Sequence, residues 1–150
     1  MLAAFKAHYS TQWKKRSAPY AGIEALLESL TCKGVHVGVL SNKPDVFVHQ
    51  CVAHFFPNIP FCAVAGESEE RPRKPDPSGL LGLIDTLHLT PQDVVFVGDT
   101  KTDMQTASRA NITPLGVSWG FREAKELWEH GAAEVFDTPK ALEAYLLKQL

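Results

Sequence analysis

The chain has 150 residues, 45% of them hydrophobic and 21% charged, with a formal net charge of −2. That length supports one domain with a sizeable core, and the near-neutral balance excludes a broad basic face for nucleic acid or an anionic membrane, so any anion site has to be assembled locally. No apolar run approaches the length of a membrane span and the N-terminus lacks the hydrophobic core of a signal peptide; Cys32, Cys51 and Cys62 are odd in number without a Cys-x-x-Cys spacing, which reads as buried, reduced thiols in a cytoplasmic protein.

In chain order, Leu2, Phe5, Tyr9 and Trp13 fall at helical spacing over residues 2–16, ahead of a break at Ser17-Ala18-Pro19. Gly22 opens a second helix in which Ile23, Leu26, Leu27 and Leu30 form a buried stripe, and Lys33-Gly34 supplies the cation and left-handed residue that end it. Val35 to Leu40 reads as the first strand, delivering Ser41-Asn42-Lys43-Pro44 at its carboxyl end. There a hydroxyl, a side-chain amide and the N–H groups of an incipient helix could hold an anion. The same residues also read as an ordinary helix start with Ser or Asn as N-cap.

A helix carrying Val46, Phe47 and Val52 follows, then a short strand from Phe61 to Ala65 and a polar loop from Gly66 to Arg73. Lys74 stands before Pro75, which drives it toward extended backbone and ends any helix there, so its ammonium is displayed from a stiffened segment. Such a lysine suits a phosphate oxygen, though a solvated surface lysine fits the pattern too. Pro77 to Leu87 is expected to be helical, and Thr90-Pro91 reads as an N-cap with a first-turn proline.

The central stretch runs from Val94 to Asp103. Its apolar residues predict a buried parallel strand, Gly98 permits a sharp turn, and Asp99 closes the strand while Asp103 falls in the first turn of the next helix, which continues through Met104, Ala107 and Ala110. A separation of four can aim both carboxylates at one point, where a divalent cation reverses their mutual repulsion, and hard oxygen donors suit Mg²⁺. The pair equally fits helix-start carboxylates solvated beside Lys101. Ile112 to Ser118 is the next strand, placed at or near a sheet edge by Pro114. Phe121 to His130 reads as a helix closed by Gly131, Glu134-Val135-Phe136 as an edge strand, and Asp137-Thr138-Pro139 as the cap of a last helix with Leu142, Tyr145 and Leu146 inward. This alternation predicts an α/β fold with a parallel, doubly wound sheet and ligands at the carboxyl ends of its strands. A dinucleotide site is excluded by the want of Gly-x-Gly-x-x-Gly after the first strand.

Val39-Leu40-Ser41-Asn42-Lys43-Pro44, Arg73-Lys74-Pro75-Asp76-Pro77 and Gly98-Asp99-Thr100-Lys101-Thr102-Asp103, in that order, resemble the second, third and fourth motifs of the haloacid dehalogenase (HAD) superfamily. Pro19-Tyr20-Ala21-Gly22, Gly66-Glu67 and Gly116-Val117-Ser118-Trp119-Gly120 bring the resemblance closer to its phosphoglycolate phosphatase-like branch. It implies a three-layer Rossmann-like core and a Mg²⁺-dependent hydrolysis of small phosphorylated metabolites through an aspartyl-phosphate. On it, Ser41 and Asn42 would bind a phosphoryl oxygen, Lys74 would neutralise charge on the phosphoryl group and the nucleophile, and Asp99 and Asp103 would position Mg²⁺ directly or through water.

The family's first motif, a strand followed by Asp-x-Asp-x-Thr that carries the nucleophile, has no counterpart: none of Asp45, Asp76, Asp85, Asp93, Asp99, Asp103 and Asp137 begins an Asp-x-Asp. The resemblance therefore implies the carboxyl-terminal portion of such a phosphatase, with residues 1–18 as the end of a helical cap and 19–150 as a core whose central first strand is absent. Negligible turnover by this chain alone is expected, as is strand exchange or homodimerisation across the gap. The alternative is a non-catalytic protein that holds phosphate or a partner at the same edge.

Overall fold

In the computed structural model, which describes residue 14 and residues 17–150, short strands alternate with helices along the chain. The elements are α1 (Ile23–Cys32), β1 (Gly38–Pro44), α2 (Asp45–Phe55), β2 (Ala63–Glu67), α3 (Ser78–Thr86), a 3₁₀ turn (Pro91–Asp93), β3 (Val95–Gly98), α4 (Lys101–Arg109), β4 (Thr113–Val117), α5 (Ala124–Glu129), β5 (Glu134–Phe136) and α6 (Pro139–Leu147). The expected helix over 2–16 and most of the 1–18 segment lie outside the described residues.

Four of the helices close with the same reversal. Gly34 (φ 79) and Gly131 (φ 99) take the left-handed position after α1 and α5, so that Val35 N–H reaches Leu30 O at 3.0 Å and Ala132 N–H reaches Leu127 O at 3.0 Å. After α3 and α4 the same position is filled by His88 and Asn111, both at φ 56, with Leu89 N–H on Ile84 O at 3.0 Å and Ile112 N–H on Ala107 O at 2.9 Å. In each case a terminal carbonyl is satisfied and the chain is turned back toward the sheet. Thr90 caps the 3₁₀ turn and Thr138 caps α6, each followed by proline, as expected.

Every strand pair is parallel, and the sheet is divided: β1 pairs with β2, and β3, β4 and β5 form a second piece in that order. Among the described residues β1 and β3 do not pair. A cavity of about 370 Å³ separates them, lined by Val39 and Leu40 on one side, Val95 and Phe96 on the other, and Leu80 and Ile84 of α3. Val95 and Val97 are 40% and 38% exposed, high for apolar side chains of a parallel strand. Helices cover both faces. Leu115 and Val117 pack with Leu26, Leu30 and Leu142 of α1 and α6, whereas Gly116 turns to the opposite face, against Leu127 of α5. On that second face Leu80 and Ile84 of α3 pack with Ala110 and Ile112, and Leu40 of β1 and Phe96 of β3 both join the cluster, so α3 bridges the two sheet pieces.

Several expectations are corrected. β4, expected at or near a sheet edge, is the middle strand of its piece, next to the edge strand β5. Pro114 is accommodated because its carbonyl, and with it the side from which N–H is missing, faces the approach to β5, where it accepts from Ala133 N at 2.8 Å. β1 runs later than expected, to Pro44, and β2 ends at Glu67, so that Gly66 lies inside the strand; a Cβ there would sit 2.6 Å from Asp45 Cα. Pro44 occupies the N-cap of α2 and no side chain caps it, which removes the reading of Ser41 or Asn42 as caps. α2 buries Val48, while Val46 is exposed. α5 begins at Ala124, three residues beyond Phe121. Cys32 is exposed and Cys51 and Cys62 are half-buried, all as free thiols. Among the described residues no helix is long and apolar enough to cross a membrane.

Candidate functional site

The carboxyl ends of β1 and β3 carry the residues of interest, and a side-chain amide joins the loop before α3 to the first of them. Asn42 Oδ1 accepts from Lys74 N at 2.7 Å and its Nδ2 donates to Lys74 O at 3.0 Å, so one side chain holds both backbone groups of the lysine. The Lys74–Pro75 peptide bond is cis. From that anchor the ammonium donates to Asp103 Oδ1 at 2.6 Å and to Leu40 O at 3.1 Å, and lies 5.5 Å from the centre of the Phe96 ring. The Lys74 and Asp103 side chains are only 13% and 8% exposed, which removes the solvated reading of both.

Asp103 is also the partner in a capping box. Thr100 is the N-cap of α4; its Oγ1 accepts from Asp103 N at 3.3 Å, and Asp103 Oδ2 accepts from Thr100 N at 3.1 Å, Thr100 Oγ1 at 2.8 Å and Asp99 N at 3.2 Å. Both of its oxygens are thus engaged, Oδ1 by the ammonium and Oδ2 by the helix start. Asp99 is placed differently: Oδ2 accepts from Phe121 N at 2.9 Å, and Oδ1 takes no hydrogen bond among the described residues. Each aspartate side chain packs closely against a glycine. A Cβ on Gly98 would sit 2.7 Å from Asp103 Oδ2, and one on Gly120 would collide with Asp99 Oδ2 and lie 2.6 Å from its Cγ. Close approach, not a left-handed turn, is therefore what requires glycine at position 98, which is absent from the positive-φ residues.

Ser41 shares the strand end with Asn42. Its Oγ accepts from Lys43 N at 3.1 Å, which leaves the hydroxyl hydrogen to donate. The structure thus brings Asn42, Lys74, Asp99 and Asp103 into one connected network with Ser41 beside it. The spacing Thr100-x-x-Asp103 signals the capping box in the sequence; the Phe121 N–H, the Leu40 carbonyl and the Gly120 seat have no such signal.

A second network fixes the approach to Lys74. Asp45 Oδ1 accepts from Gly66 N at 2.8 Å and from Arg71 Nη1 at 3.2 Å, and Arg71 also donates to Gly66 O at 2.8 Å. The Gly66 N–H, the largest influence, holds the Asp45 carboxyl below the usual aspartate range; burial opposes it as the next largest, and the charges of His49 and Arg71 add smaller lowering effects.

Among the described residues no group of three or more His, Cys, Asp or Glu could hold a metal ion, which argues against a closed tetrahedral zinc site. One open carboxylate oxygen on Asp99, backed by the buried Asp103, fits a hard cation that keeps most of its water and is completed by phosphate oxygens, the habit of Mg²⁺.

Residues 1–117 match the haloacid dehalogenase-like hydrolase family. Phosphoglycolate phosphatases from Psychrobacter arcticus and Rhodospirillum rubrum are 30% and 33% identical over 93% and 91% of this chain, which spans 61% and 56% of their lengths. The crystal structure of a Lactobacillus delbrueckii protein, provisionally described as a phosphoglycolate phosphatase, superposes with a TM-score of 0.91 at 34% identity over 97% of this chain and 60% of its own. The chain therefore spans between half and two thirds of these relatives, and with the strand-end network of Asn42, Lys74, Asp99 and Asp103 in place it belongs to the haloacid dehalogenase-like hydrolases.

Proposed function

We propose that these residues form the phosphate- and metal-holding part of a Mg²⁺-dependent phosphatase acting on phosphate monoesters of small metabolites in the cytoplasm. The observation that carries this reading is the Lys74 ammonium, on a side chain only 13% exposed, paired with Asp103 beside the strand ends that carry Ser41 and Asp99. Ser41 donates its hydroxyl to a phosphoryl oxygen, Lys74 neutralises charge on the transferring group, and Asn42, whose amide is engaged by the Lys74 backbone, acts by placing that lysine. Asp99 and, from behind it, Asp103 are the residues that would hold Mg²⁺. Bound there, the ion supplies further charge neutralisation at the phosphoryl oxygens. The relatives named for phosphoglycolate make that ester the first substrate to test.

No aspartate of the chain begins an Asp-x-Asp, and Asp103 is engaged on both oxygens. Turnover then needs a carboxylate nucleophile delivered to Lys74 by another segment. The cavity between β1 and β3 suits an extended apolar strand ending in such a carboxylate, since among the described residues no strand stands between these two and the site lies at their carboxyl ends. The relatives' greater length is consistent with such a segment.

The test mixes the 150-residue chain with a peptide carrying an apolar strand followed by Asp-x-Asp-x-Thr and follows phosphate release from phosphoglycolate. The chain alone is expected to hydrolyse negligibly, and the mixture to show Mg²⁺-dependent release that Lys74→Met abolishes. Hydrolysis by the chain alone that Asp99→Asn abolishes overturns the need for a delivered nucleophile. Phosphate binding without turnover in the mixture favours a non-catalytic binding protein, and a stable dimer that excludes the peptide assigns the gap to a second copy.

A further inference from the structure

The loop between β4 and α5 has no role in the scheme above, yet it makes the sole hydrogen bond to the Asp99 carboxylate recorded among the described residues. We infer that the Gly120–Phe121 peptide is a positioning element that restricts Asp99 to one metal-facing oxygen and so favours Mg²⁺ over Ca²⁺. The inference rests on the metal being held at Asp99.

Phe121 N–H donates to Asp99 Oδ2 at 2.9 Å, and Gly120 lies so close beneath the carboxylate that any Cβ would overlap it. Together they turn Oδ2 into the loop and leave Oδ1 open. The root of the loop is fixed independently, because Ser118 N donates to Phe136 O at 2.9 Å and Ser118 Oγ donates to the same carbonyl at 3.3 Å, tying it to β5. Phe121 itself is 82% exposed, so burial of its ring does not hold the peptide down; the amide hydrogen bond and the glycine seat do. A carboxylate fixed in this way cannot swing to offer both oxygens. Ca²⁺ draws on bidentate carboxylates and a larger, looser shell, whereas Mg²⁺ takes single oxygens at octahedral corners, so the clamp penalises the larger ion.

The experiment titrates Mg²⁺ and Ca²⁺, in the presence of inorganic phosphate, into the ¹⁵N-labelled chain and reads amide shifts together with calorimetric affinities. In the unaltered protein the Phe121 amide resonance is expected to move as Mg²⁺ saturates. Gly120→Ala is expected to weaken Mg²⁺ by about ten- to hundred-fold, the usual effect of losing an outer partner of a metal ligand, and Ca²⁺ by less, so the preference falls. Gly82→Ala, where an added Cβ meets nothing within 4 Å, leaves both affinities unchanged. If Gly120→Ala does not fold, the Phe121 resonance decides alone, and its failure to move at Mg²⁺ saturation overturns the inference. Equal Mg²⁺ binding by the unaltered chain and Asp99→Asn, or none by either, overturns the metal reading itself. Loss in Asp99→Asn with affinity and preference intact in Gly120→Ala overturns the clamp alone.

Discussion

Asp103→Ala should destabilise the protein more than Lys74→Met, although both break the same ion pair. In Lys74→Met the carboxylate loses one donor and keeps three, Thr100 N, Thr100 Oγ1 and Asp99 N, and its charge stays at a helix N-terminus that favours it. Methionine retains an apolar stem near Phe96. The cost is that of one hydrogen bond to a charged group, about 1.5–3 kcal/mol, toward the lower end. In Asp103→Ala the Lys74 side chain, 13% exposed, keeps only the Leu40 carbonyl and the Phe96 face for its ammonium among the described residues. An orphaned buried charge costs about 3–5 kcal/mol, and loss of the capping box adds about 1 kcal/mol. Urea unfolding followed by circular dichroism separates the two through the midpoint at unchanged slope. The double variant decides the cause: with the orphaned ammonium gone, it should be more stable than Asp103→Ala alone. Equal single-variant costs, or a double variant as unstable as the sum of the two, would refute the reasoning.

Asp45 is held below its usual pKa in the folded state, chiefly by the Gly66 N–H, so its contribution is present above the unfolded-state value and disappears as pH falls through the lower folded-state value. The stability difference between the unaltered chain and Asp45→Asn, read from urea midpoints across pH, is therefore expected to be widest near neutrality and to close on acidification below about pH 4; a difference that grows with acid contradicts this. Gly82→Ala, at an exposed interior position of α3 with open space around it, should raise stability by about 0.5–1 kcal/mol, and a lowered thermal midpoint would show that α3 is not a regular helix there.

What could be read from the residues follows the range of the interactions. The ends of α1 and α5 were legible because glycine marks the left-handed position at Gly34 and Gly131. Those of α3 and α4 were read at Leu87 and Ala110, their C-cap residues, but the left-handed position that follows carries no such mark, because His88 and Asn111 adopt it in a context set by the sheet they return to. Thr138-Pro139 announced α6 locally, whereas the late start of α5, at Ala124, follows a loop whose Phe121 N–H bonds a carboxylate twenty-two residues earlier in the chain. Pro114 suggested an edge strand by a rule that holds for a central ladder, yet it stands where β5 has not begun. At the site, the order Ser41, Lys74, Asp99, Asp103 was visible as motif spacing. The division of labour between the two aspartates was not, because it depends on which distant donors reach them: Lys74 and the α4 start for Asp103, and the Phe121 amide for Asp99.

The broken sheet also bears on how the molecule breathes. With β1 and β2 joined, among the described residues, to the other three strands through α3 and through the Lys74 ammonium rather than by a continuous ladder, the seam offers a low-energy route for sub-global opening. Amides of β1 and β2 would then lose hydrogen-exchange protection as one cooperative unit while those of β4 stay closed. An anion that draws Lys74 toward itself would change how often that seam gapes.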